Sequence, residues 1–113
     1  MERLIAIRGA STVAADTQEE IESSSIELLK EILARNALKQ EQIVSIQITT
    51  TKDITAYYPA TALRKSGCAA PLFSASEPDI KDSLPLCIRF LILAYGNKSV
   101  SVYLKGAADL LQK

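Results

Sequence analysis

The chain has 113 residues, 48% hydrophobic and 23% charged, the balance of one ordinary globular domain able to build its own core. Its 13 Lys+Arg cancel 13 Asp+Glu, so it lacks the basic footprint that a nucleic-acid binder lays over phosphates. Histidine is absent, which excludes Ser–His and Cys–His nucleophile pairs, His-ligated metals and an imidazole base.

Two cysteines, Cys68 and Cys87, cannot by themselves assemble a four-ligand zinc site, and neither metal nor cofactor is expected. Cys87 lies in an apolar run, where free cysteine acts as a small core residue, and a disulfide is not expected. The first residues lack the apolar stretch of a signal peptide, and nothing approaches the ~20 apolar residues of a membrane span. A cytoplasmic protein without membrane or nucleic-acid partners is the expectation.

Arg3 to Arg8 alternates, Ile5 and Ile7 against Leu4, Ala6 and Arg8, which predicts a strand ended by Gly9. Thr17-Gln18-Glu19-Glu20 reads as a capping box, whose hydroxyl and carboxylate take up orphan backbone N–H groups at a helix start. Ile21, Ser25, Leu28, Leu29, Ile32 and Leu33 follow at helical spacing, and Asn36 is a stop. Ile43 to Thr50 alternates as a second strand, with Val44, Ile46 and Ile48 against Ser45, Gln47 and Thr49. Pro59 suits the first turn of a short helix, Ala60 to Lys65, that Gly67 ends.

A third strand is predicted from Ala70 to Ala75, then a Pro- and Asp-bearing loop from Glu77 to Ser83. Leu84 to Tyr95 is too dense in apolar residues for a one-sided strand and reads as central, buried on both faces. Gly96-Asn97 marks a turn, Ser99 to Lys105 alternates again, and Ala107 to Leu111 reads as a closing helix. The order β-α-β-α-β-β-β describes an α+β fold: a mixed five-stranded sheet with helices on one face, in one domain over 1–113. No further helix remains for the other face, which predicts a symmetric oligomer of identical copies.

Arg89 interrupts an apolar strand that carries no other charge, and desolvating a guanidinium costs several kcal/mol, on the order of that for any buried ion. Two readings stand: an ion pair with a nearby acid, or a preorganised cation in a dry cavity awaiting an anion. Arg8 ends the first strand on the face opposite Ile5 and Ile7, as surface or as site. Two strand arginines, of five in the chain, point to a polyanionic small molecule, because arginine clamps carboxylates bidentately. Glu77 is exposed loop, the partner of Arg89, or the acceptor for a substrate hydroxyl. Tyr103, on the polar side of the last strand, is packing with a wet tip or a carboxylate-binding hydroxyl. Tyr58 and Arg64 by themselves read as loop and surface. The residues alone reach a small-molecule anion site without evident covalent or acid–base catalysis.

Four segments stand in order: Ile-Arg-Gly-Ala-Ser-Thr-Val over 7–13 with Asp16-Thr17; Tyr58-Pro59-Ala60 followed by Ala62-Leu63-Arg64; Pro71-Leu72-Phe73-Ser74-Ala75-Ser76-Glu77, then Ser83-Leu84-Pro85 and Ile88-Arg89; and Val102-Tyr103-Leu104. They resemble, in turn, the opening, the Phe-Pro-Ala-x-Ala-x-Arg segment, the central block and the last strand of the monofunctional, barrel-type (AroH-class) chorismate mutases.

The resemblance implies a homotrimer forming a pseudo-α/β-barrel, with active sites between neighbouring subunits. It implies the rearrangement of chorismate to prephenate in Phe and Tyr biosynthesis, which needs no nucleophile, proton transfer or metal. By resemblance Arg89 is the cation at the breaking ether bond, Arg8 a carboxylate clamp and Glu77 the acceptor from the ring hydroxyl. Tyr103 would bind the side-chain carboxylate, Ser74 and Phe73 would line the wall, and the neighbouring subunit would bring Tyr58, Ala60, Thr61 and Arg64.

Two departures stand out. The turn between Tyr95 and Ser101 is short for the family, and Leu111 stands where the family carries a tail arginine that folds over substrate. The second implies a raised KM more than a lowered kcat, with Lys113 the remaining tail cation. The rival readings are an imine deaminase trimer of the RidA type and a non-catalytic trimeric sensor of chorismate or prephenate. The Pro-Ala-x-Ala-x-Arg segment and Glu77 argue against the deaminase.

Overall fold

A computed structural model describes residues 2–112, the side chains of 109–112 excepted. Strand β1 spans Arg3–Thr12, helix α1 Gln18–Arg35, β2 Ile43–Thr50, α2 Pro59–Lys65, β3 Leu72–Ser76, β4 Cys87–Gly96 and β5 Val102–Leu104. Where the closing helix was expected, a 3-10 segment runs over Lys105–Gln112. The strands form one mixed sheet in the order β3-β2-β4-β1-β5. Strand β4 runs antiparallel to β1 and β2, while the edge strands β3 and β5 run parallel to β2 and β1.

Helix α1 opens on its predicted cap, Thr17 Oγ1 accepting from Glu20 N at 3.2 Å. The other half of the box is rearranged. Thr17 N already donates to Ala15 O, and Glu20 Oε1 accepts instead from Ala14 N at 3.1 Å. Ile21, Leu28, Leu29 and Ile32 turn inward, none more than 2% exposed, onto the sheet face that carries Ile7, Ile46, Ile48, Phe90 and Ile92. Leu63 of α2 joins the same core, so both helices cover one side.

Gly9 does not end β1, which continues to Thr12. A Cβ at Gly9 would collide with Ile32 Cδ1 and lie 3.3 Å from Leu28 Cδ1. This glycine lets helix and strand approach closely rather than making a turn. Val44 also departs from the predicted alternation. A register shift between Ile43 and Ser45 marks a bulge in β2, leaving Val44 40% exposed while Ile43, Ile46 and Ile48 are buried.

Strand β4 holds the centre, as expected, but starts at Cys87 because Leu86 turns through a left-handed φ of 50°. It is not buried on both faces within one chain. Ile88, Phe90, Ile92 and Ala94 face the helices, whereas Leu91 and Tyr95 alternate onto an open face. Leu4, paired with Tyr95, is 54% exposed there. Strand β3 begins two residues later than predicted, after Pro71, and β5 keeps only the last part of Ser99–Lys105. Both cysteines are buried and free, and among the described residues no helix is long and apolar enough to cross a membrane.

Candidate active site

Residues paired across neighbouring strands project to the same side of a sheet. The register aligns Tyr103, Ala10, Arg89 and Thr49 in one row on the open face. The adjacent row holds Arg8, Leu91, Gln47 and Phe73. A cleft of ≈ 350 Å³ lies over these rows, lined among others by Arg8, Gln47, Thr49, Arg89 and Tyr103. Four strands thus supply its polar groups. Gln47 and Thr49 were legible only as the wet side of β2.

Glu77 sits at the edge of this arrangement. Its N–H donates to Thr50 O at 2.8 Å, which carries the β2–β3 pairing one residue beyond β3. Its carboxylate Oε2 accepts from Thr49 Oγ1 at 2.6 Å and lies 3.1 Å from Arg89 Nε. Arg89 Nε is buried and makes no aligned hydrogen bond, while the side chain as a whole is 39% exposed and lines the cleft. The two readings of Arg89 therefore coexist: it has an acidic neighbour, and it faces open space. Arg8 has no acid within ion-pair distance among the described residues.

The start of β4 is tied down three residues before Arg89. Leu86 N donates to both Asp53 oxygens, at 3.1 and 3.0 Å, and Leu86 O accepts from Val13 N at 2.9 Å. Cys87 N donates to Thr51 Oγ1 at 3.0 Å. These bonds hold a backbone turn that L-residues adopt only at a cost. Asp53 was invisible as an anchor in the sequence, where Thr51-Lys52-Asp53 signals only a polar turn. Burial pushes the Cys87 thiol up to about 11 despite the nearby Arg89 cation, so the thiol is a neutral packing group and no nucleophile.

The remaining predicted residues lie elsewhere in the chain. Ser74 pairs with Ile48, whose side chain is in the core, and so sits on the helix side of β3. There it shares with Tyr58 a second cleft of ≈ 460 Å³, lined also by Thr50, Tyr57 and Ser76. Tyr58 and Phe73 are 70% and 67% exposed. Ala60 packs partly against the core and Thr61 is half-buried. Arg64 gives Nη1 to Cys68 O at 2.7 Å and Nη2 to Ala70 O at 3.0 Å, closing off carbonyls beyond the end of α2. The side chain of Leu111 and all of Lys113 lie outside the described residues.

The loop leading to Tyr58 hangs on Asp16. Its carboxylate accepts from Thr55 Oγ1 at 2.6 Å, Thr55 N at 2.9 Å and Ala56 N at 3.0 Å. The Thr55 hydroxyl, then the two backbone donors, hold the carboxyl below its ordinary value of 3.8. One chain therefore gathers Arg8, Arg89, Glu77 and Tyr103 and leaves Ser74, Tyr58, Ala60, Thr61 and Arg64 apart.

The open side of the mixed sheet thus presents two guanidinium groups and a phenol around one cleft, with the Glu77 carboxylate beside Arg89 and no histidine in the chain, a set of groups suited to a small anion. The family model for chorismate mutase type I matches residues 4–112. A chorismate mutase AroH of Thermus thermophilus is 42% identical over 89 residues, 77% of this chain and 73% of that protein. Its counterpart in Bacillus subtilis is 39% identical over 88 residues, covering 76% and 69%. A solved chorismate mutase from Clostridium thermocellum matches with a TM-score of 0.88 over 92% of this chain and 97% of the other, at 39% identity. The chain belongs to the type I chorismate mutase family.

Proposed function

We propose that this chorismate mutase, an isomerase, rearranges chorismate to prephenate in the Arg8–Arg89–Tyr103 cleft by restraint and electrostatics alone, as a step toward Phe and Tyr. The observation that carries the reading is the row Tyr103, Arg89, Thr49 with Glu77 behind it. Chorismate is a dicarboxylate whose side chain must swing over its ring before it can react. Arg8 grips one carboxylate, the Tyr103 hydroxyl binds the side-chain carboxylate, and Glu77 accepts from the ring hydroxyl. Holding both ends removes rotational freedom that the free molecule keeps. As the ether C–O bond breaks and the new C–C bond forms, negative charge grows on the ether oxygen. A guanidinium fixed on the central strand meets that charge without having to reorganise, and stabilises the transition state more than the ground state.

The open apolar face supports a homotrimer in which three such sheets enclose a barrel-like centre. Leu4, Leu91 and Tyr95 are the surface that neighbouring subunits would cover. The same packing would bring the second cleft of one subunit, with Tyr58 and Ser74, toward the first cleft of the next, along with Ala60, Thr61 and Arg64, while Phe73 would line the wall from its place beside Gln47. Each subunit acts as one domain. The free thiols of Cys68 and Cys87 accord with a reducing, cytoplasmic setting.

Purified protein is mixed with chorismate and the loss of its diene absorbance is followed, with Arg89→Ala alongside. Rapid loss that the substitution abolishes is the expected result. A folded oligomer that binds prephenate yet leaves chorismate intact would replace the enzyme with a sensor.

A further inference from the structure

We infer that Asn36 is a positioning residue for Tyr103, acting through the backbone of Val100, an inference that rests on the proposed role of Tyr103 in substrate binding. Strand β5 has three residues and one neighbour, its register with β1 running only from Gly9–Val102 to Ser11–Leu104. So short an edge strand has little ladder to hold it, and within it only Val102 is fully buried in the core. On its C-terminal side it is moored by Lys105 Nζ, which donates to Ser24 Oγ at 2.8 Å, and by Gly106 N, which donates to Thr12 Oγ1 at 2.9 Å.

On its N-terminal side the mooring is the Asn36 amide. Asn36 is 2% exposed and uses both polar atoms of its side chain. Nδ2 donates to Ile32 O at 2.9 Å and to Val100 O at 3.1 Å, and Oδ1 accepts from Val100 N at 2.5 Å. The amide thus closes the end of α1 and engages both backbone groups of Val100, as the next residue of a ladder would. Val100 itself is 45% exposed, so its side chain is no core anchor for this end of the strand. Three residues later Tyr103 lines the cleft beside Arg8 and Arg89. A buried amide that offers alternative partners nowhere else fixes one geometry rather than several. The route from the end of α1 to the phenol is then Asn36, Val100, β5, Tyr103.

The test is a double-mutant cycle read on KM for chorismate. Asn36→Ser keeps a hydroxyl that reaches back to Ile32 O but is too short for Val100. Its KM is expected to rise up to about tenfold, the worth of one hydrogen bond, with a smaller change in kcat. On a Tyr103→Phe background the same substitution is expected to add nothing. Ile46→Val, a core change on β2, lowers stability and leaves KM alone, which separates positioning from mere destabilisation. A folded Asn36→Ser enzyme with normal KM, or full additivity with Tyr103→Phe, overturns the inference while leaving the role of Tyr103 intact. Unchanged KM in Tyr103→Phe itself removes that role, and the inference falls with it. If Asn36→Ser does not fold, Val100→Pro deletes the N–H donated to Oδ1 without touching the amide, and the same cycle decides.

Discussion

Arg89 Nε stands 3.1 Å from Glu77 Oε2 without an aligned hydrogen bond, while Thr49 Oγ1 holds that same oxygen at 2.6 Å. Thr49 and the Glu77–Thr50 backbone bond therefore set the orientation of the carboxylate, and Arg89 contributes only its charge. A guanidinium with directional capacity left over is suited to an oxygen that becomes negative only during reaction.

Replacing Arg89 by Gln is expected to cost about 2.7–4 kcal/mol in activation free energy, roughly 10²–10³ in kcat. Lysine in its place is expected to recover part of the rate, since it restores the charge without the planar fork. Initial rates at saturating chorismate measure both, and a near-normal kcat in Arg89→Gln would remove Arg89 from the mechanism.

Leu4 and Tyr95 face each other across β1 and β4 on the open face, 54% and 51% exposed. A carboxylate at Leu4 would be stranded wherever a second copy covers it, at a cost of several kcal/mol on the order of any unpaired buried charge. Leu4→Glu is expected to shift the protein to monomer in sedimentation, with activity lost in parallel. A trimer that survives the substitution places the subunit contact elsewhere.

Asp16 carries the pH dependence most open to test. Its carboxyl is lowered from 3.8 by the Thr55 hydroxyl and then by the Ala56 and Thr55 N–H groups. The unfolded chain therefore binds that proton more tightly, so the stabilisation is present above 3.8 and fades as pH falls through the lower folded value. Wild type is expected to exceed Asp16→Asn in stability near neutrality, with the gap closing in strong acid. Urea melts at about pH 7 and about pH 3 measure it, and a gap that ignores pH would sink the assignment.

Gly9→Ala puts a methyl group onto the Ile32 Cδ1 methyl, which must shift within a fully buried part of the core. A loss of about 1–3 kcal/mol is expected, the usual penalty for overpacking a core. Denaturant unfolding reads it, and an unchanged midpoint would mean that α1 lifts off β1 freely.

The sequence pattern carried the fold well wherever one period ran uninterrupted. Helix α1 is bounded by Thr17 and Asn36 as its caps require, and β2 has its predicted ends, Ile43 and Thr50, with its alternation kept from Ile46 to Ile48. It failed where a residue serves two masters. Gly9 reads as a strand end because a missing side chain looks the same beneath a helix as in a turn. Val44 keeps the alternation of Ile46 and Ile48 in the sequence, yet the bulge between Ile43 and Ser45 leaves it outside and buries Ile43 instead. Arg8 and Arg89, which line the cleft, were visible as charges among apolar neighbours, whereas the tethering roles of Thr49, Asp53, Asp16 and Asn36 were not. Their importance lies in partners up to 64 positions away, as Asn36 and Val100 show, and no local period records such a partner.

The sheet order sets a schedule for the growing chain. Strand β1 is made first but lies between β4 and β5, the last two strands. Through most of synthesis it is an alternating strand with neither neighbour yet in existence, kept from straying mainly by the α1 helix that follows it. Strand β4 then joins two halves at once, completing β1 on one side and β2 on the other. Assembly of the sheet is thus late and nearly simultaneous, and a ribosome-bound chain short of β4 exposes the edges most prone to pairing with strangers.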